Sequence, residues 1–209
     1  MKRIFRFPLK QNIGAKAAPT VVEGDKFVRG QLIASVGESE LGANLFSSVS
    51  GSVTGIDENE IRLQADEVQP AEYRKLSGSN PLELTREAGI VGLGGAGFPT
   101  YYKLKEPFKT DGIVIVNAAE CEPILGHNIA AIEKNPQKLI RGLQIVMDIV
   151  HSSKGVVAIK EVHSQAVEKL RETLDDDRIR IALLPDMYPM GEERAVIREV
   201  TGTLLGVDT

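Results

Sequence analysis

Gly112-Ile113-Val114-Ile115-Val116-Asn117 is the stretch on which the fold turns. Four β-branched apolar residues in a row, bounded by glycine and asparagine, read as a short strand buried on both faces, the pattern of a parallel sheet. Downstream the chain keeps alternating. Asn135-Pro136 places a capping side chain before a proline at the first helical position. Behind it Leu139, Ile140, Leu143, Val146, Met147 and Val150 fall on one helical face. Residues 156–159 read as the next strand and residues 164–174 as a helix with Val167, Leu170 and Leu174 apolar. Residues 179–184 read as a third strand, and residues 191–201 as a last helix with Ala195, Val196, Ile197 and Val200 on its apolar side. Strands alternating with helices of this length predict βαβ units and a mainly parallel sheet, an α/β domain.

Upstream the pattern differs. Short apolar runs over residues 4–9, 20–22, 32–36, 53–56 and 61–63 read as strands. Gly24-Asp25, Arg29-Gly30, Ser50-Gly51 and Asp57-Glu58-Asn59 read as the turns between them. No stretch here has helical period, so a small all-β sandwich or barrel is predicted. Residues 67–86 are polar, with Pro70, Gly78 and Pro81, and read as a linker feeding a short helix over 81–88 capped by Asn80. The predicted division is a β-domain over 1–66, a linker and short helix over 67–86, and an α/β domain over 87–209.

Composition narrows the function. With 25 basic and 29 acidic residues the net charge is −4, which argues against a general nucleic-acid or anionic-membrane binder. One cysteine, Cys121, cannot make an intramolecular disulfide or hold an iron–sulfur cluster, and no metal site is predicted. The first ten residues alternate basic and apolar side chains and lack the continuous apolar core of a secretory signal. No window approaches the roughly 18 uninterrupted apolar residues of a membrane span. The default expectation is a soluble cytoplasmic chain, and a lone thiol fits a reducing compartment.

Three constellations carry chemistry. The first is Gly89-Ile90-Val91-Gly92-Leu93-Gly94-Gly95-Ala96-Gly97-Phe98-Pro99-Thr100. So many glycines cost backbone entropy, and are useful where backbone N–H groups must approach a phosphate or a flat ring. Gly92, Gly94 and Gly97 satisfy G-x-G-x-x-G, but a dinucleotide turn needs a strand before it and a helix starting inside it. Here the preceding segment reads as helical and Phe98-Pro99 breaks the loop. A phosphate or ring cradle of another kind is therefore predicted; a dehydrogenase fragment with a strand directly before Gly92 is the alternative. Lys103 and Lys105 follow closely enough to offer positive charge to a phosphate.

The second constellation, Asn117-Ala118-Ala119-Glu120-Cys121-Glu122-Pro123, lies at the carboxyl end of an apolar strand, where ligands bind in open α/β sheets. Its amide and two carboxylates suit a heterocycle or ribose rather than a phosphate. Cys121 as a nucleophile would need a base, for which His127 is the nearby candidate; a small buried thiol is the simpler reading. The third, Tyr188-Pro189-Met190-Gly191-Glu192-Glu193-Arg194, again follows a strand and opens a helix. Glutamates in a first turn commonly compensate the helix dipole. All three lie at comparable strand-to-helix edges, so they can converge on one crevice.

The string Val21-Val22-Glu23-Gly24-Asp25-Lys26-Phe27-Val28-Arg29-Gly30-Gln31-Leu32-Ile33, with Ser47-Ser48-Val49-Ser50-Gly51-Ser52-Val53, resembles the biotinyl/lipoyl-carrier fold. That family carries a modified lysine on the hairpin between the two segments. This chain has no lysine between Lys26 and Lys75, so only the architecture is implied, as a docking or packing module. The glycine loop with Lys103 looks like the flavin loop of the NADH-oxidising subunit of respiratory complex I, and the other two motifs are similar to that family's second and third. The Glu-Cys-Glu-Pro form and the carrier-like β-domain resemble a narrower branch. It comprises the RnfC proteins of the Rnf-type ferredoxin:NAD electron-transport complex and the electron-transfer protein associated with proline reductase.

This resemblance implies a Rossmann-like FMN- and NADH-binding domain preceded by a barrel-sandwich domain. It implies an electron-transfer flavoprotein, an NADH dehydrogenase within a larger chain or complex, with hydride passing from NAD(H) to FMN and no acid–base residue needed. Gly92, Gly94, Gly95, Gly97, Lys103, Asn117, Glu120, Tyr188, Gly191 and Glu192 would face FMN. Phe98 would lie on the nicotinamide side, with Glu122 and Glu193 near NADH. Partners would be a membrane complex or a soluble reductase, with the chain cytoplasmic or, with the former, peripheral to the inner face of the membrane. The chain departs from complex I subunits at Leu93, where they have Arg, and at Ala119, where they have Asp. The family continues past Thr209, so the second domain is expected to be incomplete and to leave electron exit to other segments. A non-catalytic docking module, or a truncated relative that binds no flavin, is the alternative.

Overall fold

A computed structural model describes residues 3–93, 95–122 and 124–206. The chain divides into two units, Met1–Lys105 and Glu106–Thr209.

In the first unit two antiparallel sheets form. One sets β1 (Ile4–Pro8) beside β7 (Glu60–Ala65), β6 (Gly51–Ile56) and β3 (Lys26–Phe27); the other orders β2 (Ala18–Pro19), β4 (Leu32–Ser35) and β5 (Leu45–Phe46). Alternation along β7 buries Ile61, Leu63 and Ala65, which join Phe27, Ile33 and Val53 in one core. Each fully buried Val, Leu or Ile contributes about 1.5–3 kcal/mol. At Gly51 a β-carbon would sit 2.0 Å from the Gln64 carbonyl oxygen, so only glycine lets β6 and β7 approach there. A register shift between Val53 and Gly55 marks a bulge in β6.

The expected strand over residues 20–22 does not form. Thr20 N–H donates to Ile33 O at 2.9 Å. The Asp25 carboxylate then accepts the Val22 N–H at 2.8 Å and turns the chain instead. The two-residue strands β2, β3 and β5 are additions to the expected set, too short to carry a periodicity. After β7 comes an irregular stretch in which Gln69 brackets Ser50, accepting its N–H at 2.7 Å and donating to its carbonyl at 2.9 Å. Helix α1 (Pro81–Glu87) begins as its cap predicts, with Asn80 Oδ1 accepting the Glu83 N–H at 3.0 Å, and α2 (Thr100–Leu104) follows.

The second unit is α/β. Strands β8 (Ile113–Ala118), β9 (Lys154–Lys160) and β10 (Ile179–Leu184) are parallel in the order β10-β9-β8. Val157 and Ile159 of β9 pack with Ile129 and Ile132 of α3 (His127–Lys134), Leu143 and Met147 of α4 (Pro136–Val150), and Val167 and Leu170 of α5 (Ser164–Thr173). Ala158 faces the other way, toward Val196 of α6 (Glu193–Thr201). Helices thus cover both faces of the sheet, as its apolar strands require. Asn135 caps α4, accepting the Lys138 N–H at 3.3 Å. The last helix starts two residues later than expected, because Glu192 is its N-cap and accepts the Ala195 N–H at 2.9 Å.

Candidate functional site

The glycine loop belongs to the first unit. It is preceded by α1, not by a strand, which removes the dinucleotide-turn alternative. Gly89 leaves the helix at φ +64°, and a β-carbon there would lie 2.3 Å from the Asn44 carbonyl oxygen. The same Asn44 donates Nδ2 to the Glu87 carbonyl at 3.3 Å. Glu87 in turn accepts from the N–H groups of Ser77 and Gly78, which hold its carboxyl below the usual range. Two bonds close the loop at its neck, Gly92 N–H to Phe98 O at 2.9 Å and Thr100 N–H to Ile90 O at 2.9 Å, around a bridge between Val91 and Pro99. Gly97 is buried at φ +68° against Asn12, and the Ala96 carbonyl accepts the Ile13 N–H at 3.0 Å. The tip is open. Leu93 is 96% exposed, and a β-carbon at Gly95 would meet nothing within 4 Å. Gly94 lies outside the described residues.

Beyond the neck, Phe98 packs edge-on against Tyr102 at 5.9 Å between centroids, and Lys103 Nζ lies 5.5 Å from the Phe98 ring. Lys105 Nζ sits 3.8 Å over Tyr102. Phe98 and Lys103 therefore lie together, an apolar face bearing a cation.

The other two constellations meet in the second unit, at the carboxyl end of the sheet. Asn117 donates Nδ2 to the Gly191 carbonyl at 2.9 Å and accepts the Ala119 N–H at 3.1 Å. A β-carbon on Gly191 would lie 2.4 Å from Cys121 Sγ, so glycine is what lets the two motifs touch. Cys121 is thus half-buried in packing. Tyr188, Glu122 and Glu193 are exposed. Pro123 lies outside the described residues.

Glu120 is placed differently from a simple ligand contact. Its side chain is 5% exposed, and its carboxylate accepts Asn128 N–H at 3.1 Å, Ile129 N–H at 3.2 Å and Asn128 Nδ2 at 3.3 Å. It serves as the missing side-chain cap of α3, whose own N-cap residue is Gly126. Glu192 likewise satisfies the first turn of α6.

Sequence reasoning missed Lys160, the last residue of β9. It is buried, and its Nζ donates to Asp186 Oδ1 at 3.1 Å. The available signal was a lysine directly after the apolar run of residues 156–159.

Two family models cover this architecture. Residues 1–83 match the RnfC barrel sandwich hybrid domain, and residues 85–208 match the Nuo51 FMN-binding domain. The chain belongs to the RnfC family. The RnfC protein of the proton-translocating ferredoxin:NAD(+) oxidoreductase complex of Clostridium ljungdahlii is 34% identical over 93% of this chain and 46% of its own length. Its counterpart in the ion-translocating oxidoreductase complex of Vibrio cholerae is 32% identical over 93% of this chain and 27% of its own. The cobalamin reductase PduS of Salmonella typhimurium is 38% identical over 71% of this chain and 29% of its own. This chain spans less than half the length of these curated relatives. The barrel-sandwich domain followed by an FMN-binding α/β domain, expected from the RnfC-like motifs, is what the family models describe.

Proposed function

We propose that this chain is the NADH- and FMN-handling portion of an RnfC-type protein, passing electrons to a partner complex or reductase. The observation that carries the reading is the join between the second and third motifs at the carboxyl end of a parallel sheet, through Asn117 and Gly191, in an FMN-binding family domain. Two local features fit a ring with a phosphate tail. The loop tip at Gly95 has open space where a side chain would project, and Lys103 offers an exposed cation beside an aromatic face.

FMN, when bound, supplies the two-electron acceptor for hydride. The chain's own work is positional. In the first unit, the open tip of the glycine loop and Lys103 would suit an anionic group such as a phosphate. Asn117 holds Gly191, and so the turn that presents Tyr188 and Glu193. Exposed Glu122 and Glu193 would accept from ribose or nicotinamide amide donors. On this reading Glu120 acts through α3.

Among the described residues no helix is long and apolar enough to cross a membrane. The proposal places the chain in the cytoplasm, docked at the inner face of the membrane through partner proteins, with the barrel-sandwich unit as the docking module.

The test mixes FMN with the purified 209-residue chain, and in parallel with a chain carrying the further segments of its RnfC relatives. A bound-flavin absorbance band that bleaches on adding NADH is expected. No flavin uptake by the longer chain overturns the reading and leaves the non-catalytic docking module in its place. A Glu193→Gln variant is expected to lose NADH oxidation while keeping flavin; equal loss of both contradicts its assigned role.

A further inference from the structure

We infer that Lys160 is a positioning residue for the third motif, pinning the turn that carries Tyr188 and Glu193; the inference rests on the proposed flavin function for its activity arm only. Lys160 ends β9, the central strand, opposite Leu184 of β10. Alternation puts it on the same sheet face as Ala158, which packs with Ala119, Met190 and Val196. Its side chain is 8% exposed, whereas that of its partner Asp186 is 55% exposed. A buried ammonium needs its charge compensated, and here the compensation comes from the loop leaving β10.

That loop is held at two points. Lys160 Nζ grips Asp186 near its start at 3.1 Å, and Asn117 Nδ2 grips Gly191 near its end at 2.9 Å. Between them Met190 N–H donates to Met187 O at 3.1 Å and Glu192 N–H to Pro189 O at 2.8 Å, so the turn is internally bonded. The backbone N–H of Glu161 adds a bond to Leu184 O at 3.0 Å. Both side-chain grips come from carboxyl ends of strands that are themselves paired in the sheet. Removing the cation releases one end of the turn while leaving Asn117 and the strand pairing in place. Asp186 is half exposed, so Lys160→Met returns its carboxylate to water and leaves no buried unpaired charge. Loss of fold and loss of positioning are therefore separable.

Lys160→Met and Lys160→Arg are made in the full chain, with Asp186→Asn as the second variant that breaks the same pair from its exposed end. Hydrogen exchange over residues 186–192 is followed in flavin-free protein, and FMN affinity by fluorescence titration. Exchange at Met190 and Glu192 is expected to quicken about tenfold in Lys160→Met and Asp186→Asn, with melting little changed in Lys160→Met, lowered in Asp186→Asn because the ammonium is left buried without its partner, and Lys160→Arg largely restoring protection. FMN affinity is expected to fall in parallel. Unchanged exchange in both pair-breaking variants overturns the inference. So does a fall in FMN affinity without faster exchange, which makes Lys160 a direct ligand contact. Failure of the unmodified chain to take up FMN counts against the functional proposal alone, since the exchange arm needs no flavin.

Discussion

Glu120→Ala is the perturbation that most directly probes how the second motif is built. The change removes three hydrogen bonds accepted at 3.1, 3.2 and 3.3 Å at the start of α3, a helix with no side-chain cap from its own N-cap residue. Loss of a capping acceptor costs about 0.5–2 kcal/mol. Removal of a carboxylate from a helix N-terminus adds about 0.3–1 kcal/mol at an exposed site, and more when partly buried. A total near ~2 kcal/mol follows. At roughly 4–8 °C per kcal/mol for a domain of this size, the second unit should melt about 10 °C lower. Glu120 also sits at φ +26°, where a β-carbon is disfavoured. Glu120→Gly should relieve that strain and recover part of the loss, and Glu120→Gln should recover more, because it keeps an acceptor oxygen. The expected order of stability is Glu, Gln, Gly, Ala. The assay is thermal melting of the flavin-free chain, with hydrogen exchange over α3 to localise the effect. Melting unchanged in Glu120→Ala, or Gln as damaging as Ala, refutes the capping argument and returns Glu120 to the cofactor.

Two further outcomes follow from local geometry. Gly89→Ala should cost about 2–4 kcal/mol, since φ is +64° and the new β-carbon would lie 2.3 Å from a backbone oxygen, whereas Gly95→Ala should leave melting within about 0.5 kcal/mol and affect only flavin uptake; comparable melting of the two variants contradicts the loop geometry. Asp176 has its carboxyl held far below the usual range by hydrogen bonds from Arg178, so its stabilising contribution is present at neutral pH and drains away as pH falls below about 4. Urea midpoints of the protein and of Asp176→Asn should therefore differ at pH 6 and converge toward pH 2, and a constant gap would show that the pair does not carry the pH dependence.

The α/β half was legible wherever burial imposed a period. Ile113 to Asn117 announced a strand, and Asn135-Pro136 announced the start of α4, because the chemistry of each signal is local. Helix α3 was not legible, since its cap, Glu120, lies eight residues before Asn128 and only the fold brings the two together. Strands β3 and β5 are too short to show alternation. At residues 20–22 a run that looks extended lost to the Asp25 turn. The site motifs were recognisable by residue type. What each side chain does was less so: Asn117, Glu120 and Glu192 spend hydrogen bonds on the backbone, which only the folded chain reveals. Lys160 escaped notice because a lysine at a strand end reads as exposed until the loop that covers it is placed.

Strand order carries a consequence for biosynthesis. In the second unit each strand pairs with the one just before it in sequence, β8 with β9 and β9 with β10, so the sheet can grow as the chain leaves the ribosome. In the first unit, among the described residues, β1 pairs only with β7, Ile4 opposite Gln64. Strand β1 must therefore wait until β7, at residues 60–65, has emerged before it finds that partner. During that interval the apolar side chains of Ile4, Phe5 and Phe7 are exposed to whatever else is nearby. A holdase chaperone that meets this chain on the ribosome has a binding segment there.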